Sequence, residues 1–110
     1  MAIVYQSVST TAWATANNVV ITKPSGLAVG DLMIAIIANQ DGDAANVNTL
    51  SGWTSYANTI GAGAGNDPRL AVFNKTADSG DVAASNFTFT QTASVPIAGA
   101  ILHISNWGFI

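Results

Sequence analysis

Apolar and polar residues along the chain come in short runs, cut at close intervals by glycine, proline and aspartate. That rhythm predicts strands joined by turns rather than helices. Ile3 to Val8 alternates loosely between apolar and polar positions. Val19-Val20-Ile21-Thr22 is a β-branched run stopped by Lys23-Pro24-Ser25-Gly26. After the turn Val29-Gly30-Asp31, the stretch Leu32 to Ala38 is apolar at both alternations. Its length and flanking turns predict a central strand covered on both faces, deep in a sandwich. Asn39 to Asn48 reads as a polar loop, Trp53 to Ile60 as a strand, and Gly61 to Pro68 as a flexible loop with little side-chain bulk. Arg69 to Lys75 alternates polar-out and apolar-in, the mark of a half-buried strand. Thr76 to Ser85 is a turn region. Asn86 to Thr92 sets Phe87 and Phe89 on one face against threonines on the other, and Ile97 to Ile104 is a last apolar strand. Ala12 to Ala16 and Val82 to Ala84 are the places where a helical turn fits. The expectation is one all-β domain over residues 1–110, an antiparallel, jelly-roll-like β-sandwich of about seven strands. No fixed-period repeat or linker divides it.

Composition narrows the function. Only 8% of the 110 residues are charged, against roughly 25% in an average soluble domain. There is no Cys, which excludes disulfide scaffolds and Cys-based zinc sites. Three cations, Lys23, Arg69 and Lys75, and a net charge of -3 do not build a phosphate-binding face, so no nucleic acid is expected as a partner. The first residues show no basic segment followed by an apolar one, hence no secretory signal is expected. The run Leu32 to Ala38 is far short of the roughly 20 residues of a membrane helix, so no membrane partner is expected either.

Candidate chemistry is sparse. His103 is the sole histidine, set in the last apolar strand; it suits either a metal ligand or general base, or a structural role in the strand. No nucleophile-elbow pattern marks any serine. Asp41-Gly42-Asp43, with Asn39, Asn46 and Asn48 nearby, offers hard oxygen ligands suited to calcium, but its glycine is misplaced for an EF-hand loop and no acidic residue closes it; the plainer reading is a solvated hairpin loop. Trp13, Trp53, Trp107, Tyr5 and Tyr56 are candidates for stacking on sugar rings, or for filling the core or an oligomer interface. Gly61 to Gly65 lacks the lysine and the following helix of a phosphate loop. No catalytic residue, cofactor or metal is assigned.

One pattern spans roughly residues 19 to 104. Ile21-Thr22-Lys23-Pro24 leading into Gly30-Asp31-Leu32, then Ser51-Gly52-Trp53, then Val72-Phe73-Asn74-Lys75-Thr76-Ala77-Asp78-Ser79-Gly80-Asp81, and finally Phe87-Thr88-Phe89-Thr90, resembles a succession of turns and core positions found in virion proteins of tailed bacteriophages. The resemblance implies a β-sandwich, often jelly-roll-like, used in tail-fibre or receptor-binding modules and in small capsid-surface proteins. It transfers no catalytic residue. Such modules usually continue for several strands beyond the segment matching Ile101 to Ser105, whereas this sequence ends at Asn106-Trp107-Gly108-Phe109-Ile110. The implied alternatives are a minimal domain or a sheet completed by a neighbouring copy.

Two functions follow as expectations. The first is a non-enzymatic virion structural protein, a capsid decoration or cement protein made in the host cytoplasm. It would form a homo-oligomer that packs on the major capsid protein or other virion subunits through Tyr5, Trp13, Trp107, Phe109 and Ile110. The second is a tail- or head-fibre module binding a host cell-surface glycan through residues 39–48 and 61–68. An enzyme is the most distant reading. Low charge favours a chain that works packed among other subunits, since a free monomer ordinarily keeps more charge for solubility.

Overall fold

The alternating runs become antiparallel strands because one set of positions in each can be buried while the other stays outside. The structure, a computed structural model, describes residues 3–41, 45–61 and 67–106. Within them the order is β1 (Val4–Thr10), β2 (Ala14–Thr22), β3 (Leu32–Asn39), β4 (Thr54–Ile60), β5 (Arg69–Thr76), α1 (Ser79–Ala83) and β6 (Asn86–Ser105). The all-β, antiparallel expectation holds. The strand count differs, because residues 86–92 and 97–104 are two halves of one strand, the 20-residue β6. Residues 14–16 open β2 rather than forming a helical turn, since Ala14, Thr15 and Ala16 pair with Ile97, Pro96 and Val95. The second candidate turn falls partly inside α1.

β6 organises the rest. Its C-terminal half pairs with β3 on one side and with β1 on the other, in a sheet ordered β1-β6-β3-β5-β4. β2 pairs with the N-terminal half. Between the halves the ladder breaks: the step from Ala16 to Asn18 on β2 faces the step from Val95 to Thr90 on β6. Gln91 lies in that excursion and its side chain replaces the missing ladder bonds. Its Nε2 donates to the carbonyls of Ala16 (2.7 Å) and Val95 (3.0 Å), and its Oε1 accepts from Asn39 Nδ2 at 2.9 Å.

The break lets β2 and the first half of β6 form a second layer over one face of the main sheet. The core between the layers joins Val19 and Ile21 of β2 and Phe87 and Phe89 of β6 to Met33 and Ile37 of β3, Phe73 of β5 and Ile101 of β6. Phe73 stacks on Phe89 at 5.3 Å, and Trp53 stands edge-on to Phe89 at 5.2 Å and to Phe87 at 5.7 Å. Aromatic pairs at these spacings and angles add to the area they bury. Space is tight at Gly99, where a Cβ would sit 2.8 Å from the tips of Ile21 of the second layer and of its own strand partner Ile37.

The main sheet does not have both faces covered as expected. Met33, Ala35, Ile37 and Asn39 of β3 point into the core and are buried; Leu32, Ile34, Ile36 and Ala38 point the other way and keep part of their surface in solvent. The region after β3 also differs from a solvated loop at its described ends. Asn39 is wholly buried, as are Ala45 and Val47, and Val47 bridges to Gln91. Among the described residues, no helix is long and apolar enough to cross a membrane.

Candidate functional site

Strand pairing fixes which side chains share the outer face of the main sheet, because directly paired residues point to the same side. Tyr5, Ile104, Leu32 and Thr76 form a row across it. Val8, Leu102, Ile34 and Asn74 form a second, Thr10, Ala100, Ile36, Val72 and Ala57 a third, and Ala98, Ala38, Leu70 and Thr59 a fourth. No charged residue stands in any of these rows. The apolar members occupy the middle, and threonine or asparagine stands mainly at the margins. Tyr5, on β1, is 58% exposed; Leu70 is 47% exposed; and Tyr56, the extra residue in the irregular pairing of β4 with β5, is 81% exposed. Leu32, Ile34, Tyr56, Val72 and Asn74 line a recess of about 410 Å³ in this face. Monomeric proteins rarely leave a contiguous apolar patch of several hundred Å² without a use for it.

Among the described residues the charged side chains lie elsewhere, and those of Lys23, Arg69, Lys75, Asp31, Asp78 and Asp81 are internally engaged. Lys75 Nζ reaches Asp81 at 3.0 Å and Asp78 at 3.4 Å. Asp78 and Asp81 form a capping box on α1: Asp78 accepts from the Asp81 amide at 2.9 Å, and Asp81 accepts from the Asp78 amide at 2.9 Å. The Asp81 amide holds the Asp78 carboxyl below its ordinary range; slight burial opposes this, and the charge of Lys75 assists it. For Lys75, burial works against the charged form, but the hydrogen bond and charge of Asp81, with the charge of Asp78, outweigh it and raise the ammonium above its ordinary value. Lys23 Nζ donates to the carbonyl of Val82. Arg69 donates to the carbonyl of Ala45 and to Asn58 Oδ1, at 3.1 Å and 2.7 Å, and Asn58 in turn donates to the carbonyl of Val47. The cations therefore brace loops.

His103 is 2% exposed and faces the inner side. Its Nε2 lies 2.6 Å from Asp31 Oδ2 and its Nδ1 3.1 Å from the carbonyl of Ser25. Ser7 Oγ donates to the same carbonyl at 2.9 Å and stands 3.4 Å from Nδ1. Serine, histidine and aspartate are thus brought together, residue types that in another setting make a nucleophilic triad. Here the Ser7 hydroxyl is committed to Ser25 and the ring is sealed from solvent, so the cluster ties the turn at residues 24–31 to β1 and β6. Asp31 completes the tie by accepting from the Ala28 amide at 3.1 Å.

The candidates named from sequence scatter. Tyr5 lies on the outer face, paired with Ile104, whereas Trp13 is exposed just before β2, whose Ala14 pairs with Ile97. Seven residues of β6 separate those pairings, about 23 Å at the rise of a strand. Trp107, Phe109 and Ile110 lie outside the described residues, as does Asp43 of the calcium candidate. Among the described residues, no group of three acidic or histidine side chains is placed to hold a metal. Trp53 is in the core rather than open to a sugar ring. Sequence reasoning missed Val8, Leu32, Ile34, Ile36, Leu70 and Val72 as surface residues. The signal for the β3 members is the apolar run at both alternations, which fits an outward-facing apolar set as well as two covered faces. Comparison with protein-family models, with curated proteins and with solved structures finds no match for this chain.

Proposed function

We propose that this chain is a non-enzymatic structural protein of a bacteriophage virion, of the capsid decoration or cement type, which stabilises a head shell by packing against neighbouring subunits. The observation that carries the reading is the outer face of the sheet β1-β6-β3-β5-β4, apolar in its centre and without a charged residue in its rows. Burying such a face in an assembly gains the hydrophobic contribution of about 25 cal/mol for each Å² removed from water. A subunit held only by the assembled shell stabilises that state over the dissociated one by mass action. The resemblance of the turn and core pattern to tailed-phage virion proteins supports the setting. The test is co-sedimentation of the purified chain with particles of the virus that encodes it. Stoichiometric, saturable binding and a raised temperature of particle disruption are expected. Absence of the chain from purified particles, together with no binding to them, overturns the reading.

A fibre module that binds a host glycan is the second reading, and Tyr56 is what favours it. An aromatic ring 81% exposed beside a recess that Asn74 also lines offers a stacking platform next to an amide. A glycan array without binding, alongside stable attachment to particles, decides for the first reading.

A further inference from the structure

We propose that the outer sheet face is a two-fold interface between two copies of this chain, packed sheet against sheet with the axis in the plane of the face and along the strands. The inference rests on reading that face as an assembly surface, and it names the first partner the face meets.

Charge points to a second copy. Each chain carries a net charge of -3, yet the rows of this face hold none of it, so two copies meet there without opposing like charges. A partner presenting charged groups would have to bury them unpaired. An apolar centre with a polar margin is also the ordinary anatomy of a protein interface.

Area is sufficient. Five strands about 4.8 Å apart and four rows about 6.8 Å apart cover roughly 600 Å² of sheet on each copy, about 1,200 Å² for the pair, where stable interfaces begin. Side-chain relief adds to this flat figure.

Shape gives the orientation. Tyr5 and Tyr56 stand at opposite edges, on β1 and β4; between them β6 and β3 present Ile104, Leu102, Leu32 and Ile34 toward one end of the face and the smaller Ala100, Ala98 and Ala38 toward the other. A two-fold axis along β3 carries the β1 edge of one copy over the β4 edge of the other. That sets Tyr5 toward the partner's recess beside Tyr56, and the reciprocal contact follows by symmetry.

The sequence contains no cysteine, so single-cysteine variants report proximity cleanly. Wild-type protein is expected to sediment at twice the 11.2 kDa of the chain. Ile36→Cys, on the axis, should join two copies through a short bis-maleimide, and Thr22→Cys, on β2, should not. Ile36→Asp, and independently Leu70→Asp at a more exposed site, should weaken the dimer at least about a hundredfold, through a carboxylate buried without a partner, while the circular dichroism spectrum stays that of the folded wild type. A wild-type monomer at tens of micromolar overturns the inference. So does a dimer that survives both Asp variants or cross-links through Thr22→Cys. A monomeric protein that still binds particles overturns the dimer and leaves the virion reading standing; a dimer that binds no particle does the reverse.

Discussion

His103 Nε2 and Asp31 Oδ2 meet at 2.6 Å, joining the end of β6 to the turn that precedes β3. Histidine in an apolar strand and aspartate after a glycine are each unremarkable in sequence; together they anchor the turn, because the Ser25 carbonyl and the Ala28 amide are held by the same two side chains. Replacing Asp31 by Ala leaves the buried ring facing an empty position, and a hydrogen bond to a charged group contributes about 2 kcal/mol. Asp31→Ala should therefore lower the urea midpoint by an amount corresponding to about 2 kcal/mol and speed proteolysis within residues 24–31. Unchanged values for both would remove the anchoring role.

Gly99 is required by space and not by backbone angle. A Cβ there meets Ile21 and Ile37 at 2.8 Å, and both side chains are fully buried. Gly99→Ala should cost about 1–3 kcal/mol through overpacking. Ile37→Val removes one of the two obstructing methyl groups, so the double variant should lose less than the sum of the single ones. Additive losses in a double-mutant cycle would show that the alanine is accommodated elsewhere.

Gln91 gives a third prediction. Its amide serves two backbone carbonyls and Asn39 at the break in β6. Asn39 Oδ1 is itself buried without a hydrogen-bond partner, so this polar cluster has little slack. Gln91→Leu keeps the volume but leaves buried acceptors unmet, each at a cost of about 1–3 kcal/mol. Amide exchange should accelerate first at residues 16–18 and 90–95, before the centre of β3 responds.

Asp78 and Lys75 set a pH dependence. The folded-state pKa of Asp78 is lowered, so its contribution is present above the unfolded carboxylate value of about 4 and is lost as pH falls through the folded value. The pKa of Lys75 is raised, so its contribution is present below the unfolded lysine value of about 10.4 and is lost as pH rises through the folded value. Stability should therefore fall at both extremes. Asp78→Asn, which keeps a capping side chain, should flatten the acid limb while changing neutral stability less than Asp78→Ala does. A denaturant series across pH with parallel acid limbs for wild type and Asp78→Asn would contradict this assignment.

Much of the fold was legible because it rests on local rules. Val19 and Ile21, and Phe87 and Phe89, sit at alternate positions, and all are buried; β5 departs from the expected polar-out, apolar-in alternation, because Arg69 and Lys75 share the inner side with Ala71 and Phe73 while Leu70 and Val72 face outward. The glycines of Ser25-Gly26, Val29-Gly30 and Ser51-Gly52 adopt positive φ, as turn residues there should. Lys75 to Asp81, expected to be the end of a strand and a turn, is an ion pair leading into the capping box of α1, an arrangement that needs Lys75 and Asp81 brought together by the fold.

The candidate site was less legible. Tyr5 is a candidate from sequence, but Val8, Leu102, Ile34 and Val72, which share its face, come from four different strands, and only pairing through β6 and β3 puts them there. The same holds for Ser7, His103 and Asp31, which are far apart in the chain.

Alternation, turn residues and the low content of charge thus determined that this chain is an antiparallel β protein with few charges to place on its surface. Its tertiary structure decided that β6 runs through both layers, and that the second apolar set of β3 faces outward. Hydrophobicity dictates that a side chain leaves water but not against what. Which apolar face closes on the core depends on strand order and on the break at Gln91, and those depend on contacts between residues distant in sequence.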